Sequence, residues 1–139
     1  GLTPLRFFAA AHPNVSVLMG GRTKEEVFWA DIYRPHVREC FVTTDDGSYG
    51  TQGFVTTLLP ALLKGGTYDG VAVCGPPIMM ERVAGIASEY GIPCEVSLEK
   101  RMACGLGACL SCAVDTKSGR RKVCKDGPVF PAGEVYYAS

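Results

Sequence analysis

An α/β fold is predicted, built as a parallel-sheet lobe over residues 1–99 followed by a small irregular or β module over residues 100–139. Three observations predict it. Short apolar runs alternate with helical patterns through the first hundred residues, the signature of crossover units on a parallel sheet. The runs are apolar enough to suit strands covered on both faces. After about residue 99 helical periodicity stops, and small residues, glycines and cysteines take over.

The predicted strands are Val15–Met19, Arg38–Val42 and Val71–Cys74, with Cys94–Leu98 as a fourth. Between the first two, Thr23 followed three residues later by Glu26 matches a capping box, so a short helix carrying Val27, Phe28 and Trp29 is expected there. A second helix fits Gly53–Leu63 and stops at Gly65 and Gly66. The third is the clearest: Pro76 and Pro77 suit a first turn, where the missing N–H has no partner to lose, and Gly91 and Pro93 mark the stop. In the second module, Ala113–Thr116 and Arg121–Cys124 are expected to form a hairpin turned at Ser118 and Gly119.

The 139 residues, 47% of them hydrophobic, suffice for a true core. Fourteen basic and fourteen acidic residues cancel, and the local basic excess is confined to Lys117, Arg120, Arg121 and Lys122. That is no broad basic face, so nucleic acid is not an expected partner. No apolar run reaches the length of a membrane span and no secretory signal opens the chain, so a cytoplasmic protein without a membrane partner is expected.

Seven cysteines are present, and four of them crowd into 21 residues. They form Cys104-Gly-Leu-Gly-Ala-Cys109-Leu-Ser-Cys112, with Cys124 after eleven more residues. Clustering of this kind suggests metal ligation, and the odd total argues against complete disulfide pairing. The C-x4-C-x2-C...C spacing is that of plant-type [2Fe-2S] sites, in which each iron takes two thiolates and two bridging sulfides. Gly105, Gly107 and Ala108 keep the loop thin, so that backbone N–H groups can approach sulfur. Structural zinc is the rival, although it usually draws on two C-x2-C-like pairs, and Cys124 stands alone. Unligated thiols are the remaining alternative. Cys40, Cys74 and Cys94 lie in predicted strands, where a buried inert thiol is the default.

Three segments fall at or near predicted carboxyl ends of strands, the edge where open parallel sheets bind ligands. They are Gly1-Leu-Thr-Pro4, Gly20-Gly21-Arg22 and Cys74-Gly75-Pro76-Pro77. Glycine permits close backbone approach there, and a following helix start offers N–H groups to phosphate. Each could equally be an ordinary turn.

The order of these motifs resembles the NAD-binding lobe of the ferredoxin-NADP reductase superfamily, with Gly1-Leu-Thr-Pro4 similar to the tail of its G-x-G-x-x-P loop. More specifically, Ser97-Leu-Glu-Lys-Arg-Met-Ala-Cys104-Gly-Leu-Gly-Ala-Cys109 and Val123-Cys124-Lys-Asp-Gly-Pro128-Val-Phe130 resemble the electron-transfer subunits of NAD-linked bacterial dihydroorotate dehydrogenases. The resemblance implies that Gly1, Thr3 and Pro4 lie at the NAD pyrophosphate, Gly21 and Arg22 near the adenosine, and Cys74, Gly75 and Pro76 near the nicotinamide. Arg22 is the one residue suited to a phosphorylated ribose, so NAD over NADP rests on the resemblance. Asp45-Asp46-Gly47-Ser48-Tyr49-Gly50 is also typical of the family; it could equally be an ordinary polar loop and is assigned no catalytic role.

Members of that family begin with a flavin-binding β-barrel of roughly a hundred residues. Neither its FAD motif nor the first sheet strand is found here, so the chain is expected to be a truncated piece with its lobe incomplete at the N-terminus. The resemblance further implies an oxidoreductase component using a [2Fe-2S] cluster, FAD and NAD. Its partner would be an FMN-containing catalytic subunit that oxidises dihydroorotate for pyrimidine biosynthesis, in a heterotetramer. No residue is expected to act as a general acid or base. Two alternatives stay open: an NADH-dependent reductase component of an oxygenase or hydrogenase system, and a zinc-binding structural module.

Overall fold

The apolar run around Val17 and Met19 pairs as expected. β1 (Ser16–Gly21) lies parallel to β2 (Glu39–Thr44), from Ser16 opposite Glu39 to Gly21 opposite Thr44. Both strands continue past Met19 and Val42, because pairing runs on through glycines and threonines that carry no apolar signal. β3 (Thr51–Gln52) adds to the far side of β2 in parallel. This computed structural model describes residues 1–137, and its packing falls into two units divided between Thr67 and Tyr68.

In the first unit, α1 (Leu2–Ala11) begins directly after Gly1. Sequence reasoning gave no helix there. Thr3 and Pro4 are therefore in a helical first turn, where proline is tolerated. A single turn of 3-10 helix (Lys24–Val27) precedes α2 (Ala30–Tyr33), and α3 (Val55–Gly65) follows β3. The core joins Ala9, Met19, Val27, Ala30, Tyr33 and Val42.

The expected capping box at Thr23 does not form. Thr23 makes no side-chain cap, and the Glu26 carboxylate instead accepts the backbone N–H of Arg22. The reason is electrostatic: Arg22 is four residues away and also donates its guanidinium to Glu26, a stronger claim than a neutral backbone N–H at Thr23.

Buried Tyr33 donates its hydroxyl hydrogen bond to the carbonyl of Leu2, tying α2 to α1. Tyr33→Phe is expected to lower the unfolding free energy by about 1 kcal/mol, the usual net worth of one such bond, in a urea titration.

In the second unit β4 (Val71–Cys74) and β5 (Cys94–Ser97) are parallel, joined by α4 (Pro77–Glu89). Pro77 opens α4 as expected, while Pro76 sits one place outside it as the cap residue. Ala87 and Val96 are fully buried on α4 and β5.

The hairpin is formed by β6 (Ala113–Thr116) and β7 (Gly119–Lys122), with Thr116 opposite Gly119. The second strand thus starts at Gly119, earlier than the expected Arg121, because Lys117 and Ser118 alone make the turn. As a consequence Cys124 leaves the strand and sits in α5 (Val123–Asp126).

β8 (Val129–Pro131) then runs antiparallel to β5, with Phe130 opposite Val96, and leads into α6 (Ala132–Val135). Packing therefore unites residues on both sides of the change in sequence character at residue 99. The last two residues of the expected second module lie outside the described ones. Among the described residues, no helix is long and apolar enough to cross a membrane.

Candidate metal centre

The loop from Arg101 to Cys112 contains no regular helix or strand. Its composition explains this, since two glycines and small residues offer little packing. Gly105 and Gly107 have φ of 67° and 84°, and Leu110 is also left-handed at 61°. These backbone conformations turn N–H groups inward. Leu106 and Cys109 both donate backbone N–H to Cys104 Sγ at 3.4 Å. Ser111 Oγ closes the loop by donating to the Arg101 carbonyl at 3.1 Å.

Cys112 is buried at the entrance to β6, and Cys124 comes to it from α5. The Cys124 N–H donates to Cys112 Sγ at 3.5 Å, and the Val123 N–H donates to the Cys112 carbonyl at 3.2 Å. All seven cysteines are free thiols.

The environments of the sulfurs differ. The N–H groups of Cys109 and Leu106 hold the Cys104 thiol down at about 6. Cys112 is also lowered, chiefly by the Cys124 N–H, whereas Cys124 is raised because its thiol donates to Cys112. A depressed thiol is the form that ligates metal. In contrast, burial pushes Cys94 up to about 11 and raises Cys40 and Cys74, in keeping with inert strand thiols.

Among the described residues, no three His, Cys, Asp or Glu side chains converge where one ion could hold them. The four thiols meet two by two, Cys104 with Cys109 and Cys112 with Cys124. This donor set fits a two-iron cluster, which needs two thiolates at each iron and N–H groups near sulfur.

In metal-free protein, Cys104 is expected to be the first of the four to react with iodoacetamide. Its folded value lies below the thiol's ordinary value of 9.0, so the thiolate persists from high pH down to about 6 and is lost below it. Peptide mapping by mass spectrometry from pH 5 to 8 should show labelling at Cys104 rising through about pH 6, with Cys94 unlabelled.

The nucleotide candidates lie in both units. In the first, Gly1 caps α1, Thr3 and Pro4 are in its first turn, Gly21 ends β1, and Arg22 follows it with its guanidinium on Glu26. In the second, Cys74 ends β4, Gly75 follows, and Pro76 caps α4. Sequence reasoning overlooked two neighbours. Glu26 engages Arg22, a contact signalled by their four-residue spacing. Glu99 accepts a hydrogen bond from Cys74 Sγ at 3.6 Å, a long-range contact that no sequence pattern announces.

Residues 99–136 match the family described as the iron-sulfur cluster binding domain of dihydroorotate dehydrogenase B. The chain is 42% identical over 129 residues to the probable dihydroorotate dehydrogenase B (NAD(+)) electron transfer subunit of Methanocaldococcus jannaschii, covering 93% of this chain and 49% of that protein. It is 42% identical over 117 residues to the corresponding subunit of Clostridium perfringens, covering 84% of this chain and 46% of that one. Among solved structures, it matches a chain from the NADH-dependent reduced ferredoxin-NADP oxidoreductase studied for flavin-based electron bifurcation. That match has a TM-score of 0.83 and 32% identity, covering 97% of this chain and 50% of the other. The chain is therefore similar, over about half the length of the relatives it matches, to dihydroorotate dehydrogenase B electron transfer subunits, and its residues 99–136 match that family's iron-sulfur cluster binding domain.

Proposed function

We propose that this chain is the nucleotide-binding and cluster-bearing part of an electron-transfer subunit that couples dihydroorotate oxidation by a partner to NAD reduction. The observation that carries it is the meeting of four thiols in two pairs under inward-facing N–H groups. Cys104 and Cys109 would hold one iron, and Cys112 and Cys124 the other. A bound [2Fe-2S] cluster supplies single-electron transfer, which suits it to link two flavins, FMN in the partner and FAD in the complete subunit.

The chain's own residues bind and position. The N–H groups of Leu106 and Cys109 stabilise negative charge on Cys104 sulfur, and so favour metal binding and set the potential. Residues 100–139 form the cluster module in this reading, and residues 1–99 the NAD lobe. Gly1, Thr3 and Pro4 would serve the pyrophosphate, Gly21 and Arg22 the adenosine, and Cys74, Gly75 and Pro76 the nicotinamide. Helix starts at α1 and α4 support this, because each follows a glycine and a helix start is the end that favours phosphate. A cytoplasmic heterotetramer with the FMN-containing subunit completes the proposal.

The test is anaerobic co-purification of the full-length subunit with its partner, followed by assay of dihydroorotate-driven NAD reduction. Reduction that requires both proteins supports the proposal. Recovery of a partner that exchanges electrons with ferredoxin and does not oxidise dihydroorotate would favour a second reading, an NADH-dependent reductase component, to which the ferredoxin-NADP oxidoreductase likeness lends weight.

A further inference from the structure

The carboxyl ends of β1 and β2 carry two cations, Arg22 and Lys24, and four carboxylates, Glu25, Glu26, Asp45 and Asp46. Both cations are already engaged, Arg22 by a carboxylate and Lys24 by an aromatic ring. Glu26 uses both its carboxylate oxygens on Arg22: Oε2 accepts the backbone N–H at 2.8 Å, and Oε1 accepts Nε and Nη2, each at 2.9 Å. The carboxylate is thereby fixed against the strand end and the guanidinium fork is filled along one edge. Lys24 Nζ lies over the Tyr49 ring, 5.9 Å from its centre. Asp46 binds the N–H and hydroxyl of Ser48, whose oxygen in turn accepts the Lys24 N–H at 2.8 Å, so this loop is held beside the turn.

We infer that Glu26 is a specificity-determining residue, which selects a dinucleotide with a free 2′-hydroxyl by holding the Arg22 guanidinium away from a 2′-phosphate. The inference rests on the reading of this unit as the adenosine end of a nucleotide lobe. A 2′-phosphate is close to a dianion and needs an uncommitted cation, whereas a 2′-hydroxyl is neutral and tolerates nearby carboxylates. Arg22 is the residue best placed for a phosphate, and Glu26 cancels it. The surplus of carboxylates at this edge, with Asp45 also acting on Arg22, adds repulsion. Glu26 positions Arg22 and need not touch the nucleotide itself.

The experiment uses the full-length subunit in its complex, titrated calorimetrically with 5′-AMP and with adenosine 2′,5′-bisphosphate. The wild type should prefer 5′-AMP. E26Q keeps the side-chain shape and removes the charge, and it should shift the ratio of the two dissociation constants toward the bisphosphate by about fivefold, the scale of an exposed ion pair. The shift should shrink with added salt. E26D, which retains the charge but withdraws it by one methylene, should lie between. In the R22A background E26Q should produce no such shift.

If 5′-AMP binds and the ratio is unmoved in E26Q, the role given to Glu26 is overturned while the nucleotide lobe stands. An equal shift in the R22A background also overturns it, since Arg22 would then not be the residue released. Failure of the wild type to bind 5′-AMP overturns the lobe reading, and this inference with it.

Discussion

Full-length protein carrying Cys112→Ala, purified without oxygen, is expected to lose most of its iron and the visible absorption of a [2Fe-2S] cluster. Cys112 is 3% exposed, so its sulfur has no freedom to be replaced by a neighbouring thiol. It also sits where two segments meet: its sulfur accepts the Cys124 N–H, and its carbonyl accepts that of Val123. In the proposed assignment, alanine removes one of the two thiolates that would hold one iron, together with the acceptor of the Cys124 N–H. Losing a ligand should cost far more than the 10- to about 100-fold in affinity typical of losing an outer hydrogen bond to a ligand.

The control is Cys94→Ala. That thiol lies at the start of β5, and burial raises it to about 11, well outside the range of a ready ligand. Iron should stay near two per chain in this variant, the number a two-iron cluster requires. Iron and sulfide analysis with electron paramagnetic resonance of the reduced protein gives the readout. Retention of two irons by the Cys112 variant would sink the four-cysteine assignment, and stoichiometric zinc in the colourless wild type would sink the cluster itself.

The elements most legible in the sequence were those whose signal is local. β4 and the start of α4 were placed by an apolar run followed by prolines, and the cysteine loop by spacing alone. What escaped depends on partners distant in the chain or on pieces too short to show a period. β3 is two residues long, and β8 is a strand only because Val96 lies opposite Phe130. Likewise, the start of the hairpin's second strand depends on which residues make the turn, and Lys117-Ser118 gives a weaker signal than Ser118-Gly119. The Thr23 capping box failed because Glu26 had a charged alternative at Arg22, a competition that a motif written for Thr and Glu leaves out. The candidate cysteines were legible as a set. Their division into pairs, and the depressed Cys104, follow from N–H directions that only the folded loop reveals.

A second large effect is expected at Gly50, within the loop joining β2 to β3. Its φ is 71°, and a Cβ there would lie 2.1 Å from the Val42 carbonyl oxygen and 2.7 Å from its carbon. Both atoms belong to the backbone of β2, so neither can swing aside. The loop is also fixed from its other side: Thr44, which is fully buried, donates its hydroxyl to the Tyr49 carbonyl at 2.8 Å and accepts the Tyr49 N–H at 3.1 Å. Gly50→Ala must therefore break the Thr44–Tyr49 exchange or displace the end of β2. With the left-handed penalty added, a loss of about 2–4 kcal/mol is expected. Gly47→Ala separates the two causes. Gly47 has a similar φ of 73°, but the atoms nearest an added Cβ would be side-chain carbons of Gln52, at 3.3 Å, and not backbone of β2. That variant should lose only about 1 kcal/mol, the backbone cost alone. Thermal melts of the two variants beside the wild type test this, and equal losses would mean that the Gly50 loop yields without disturbing β2.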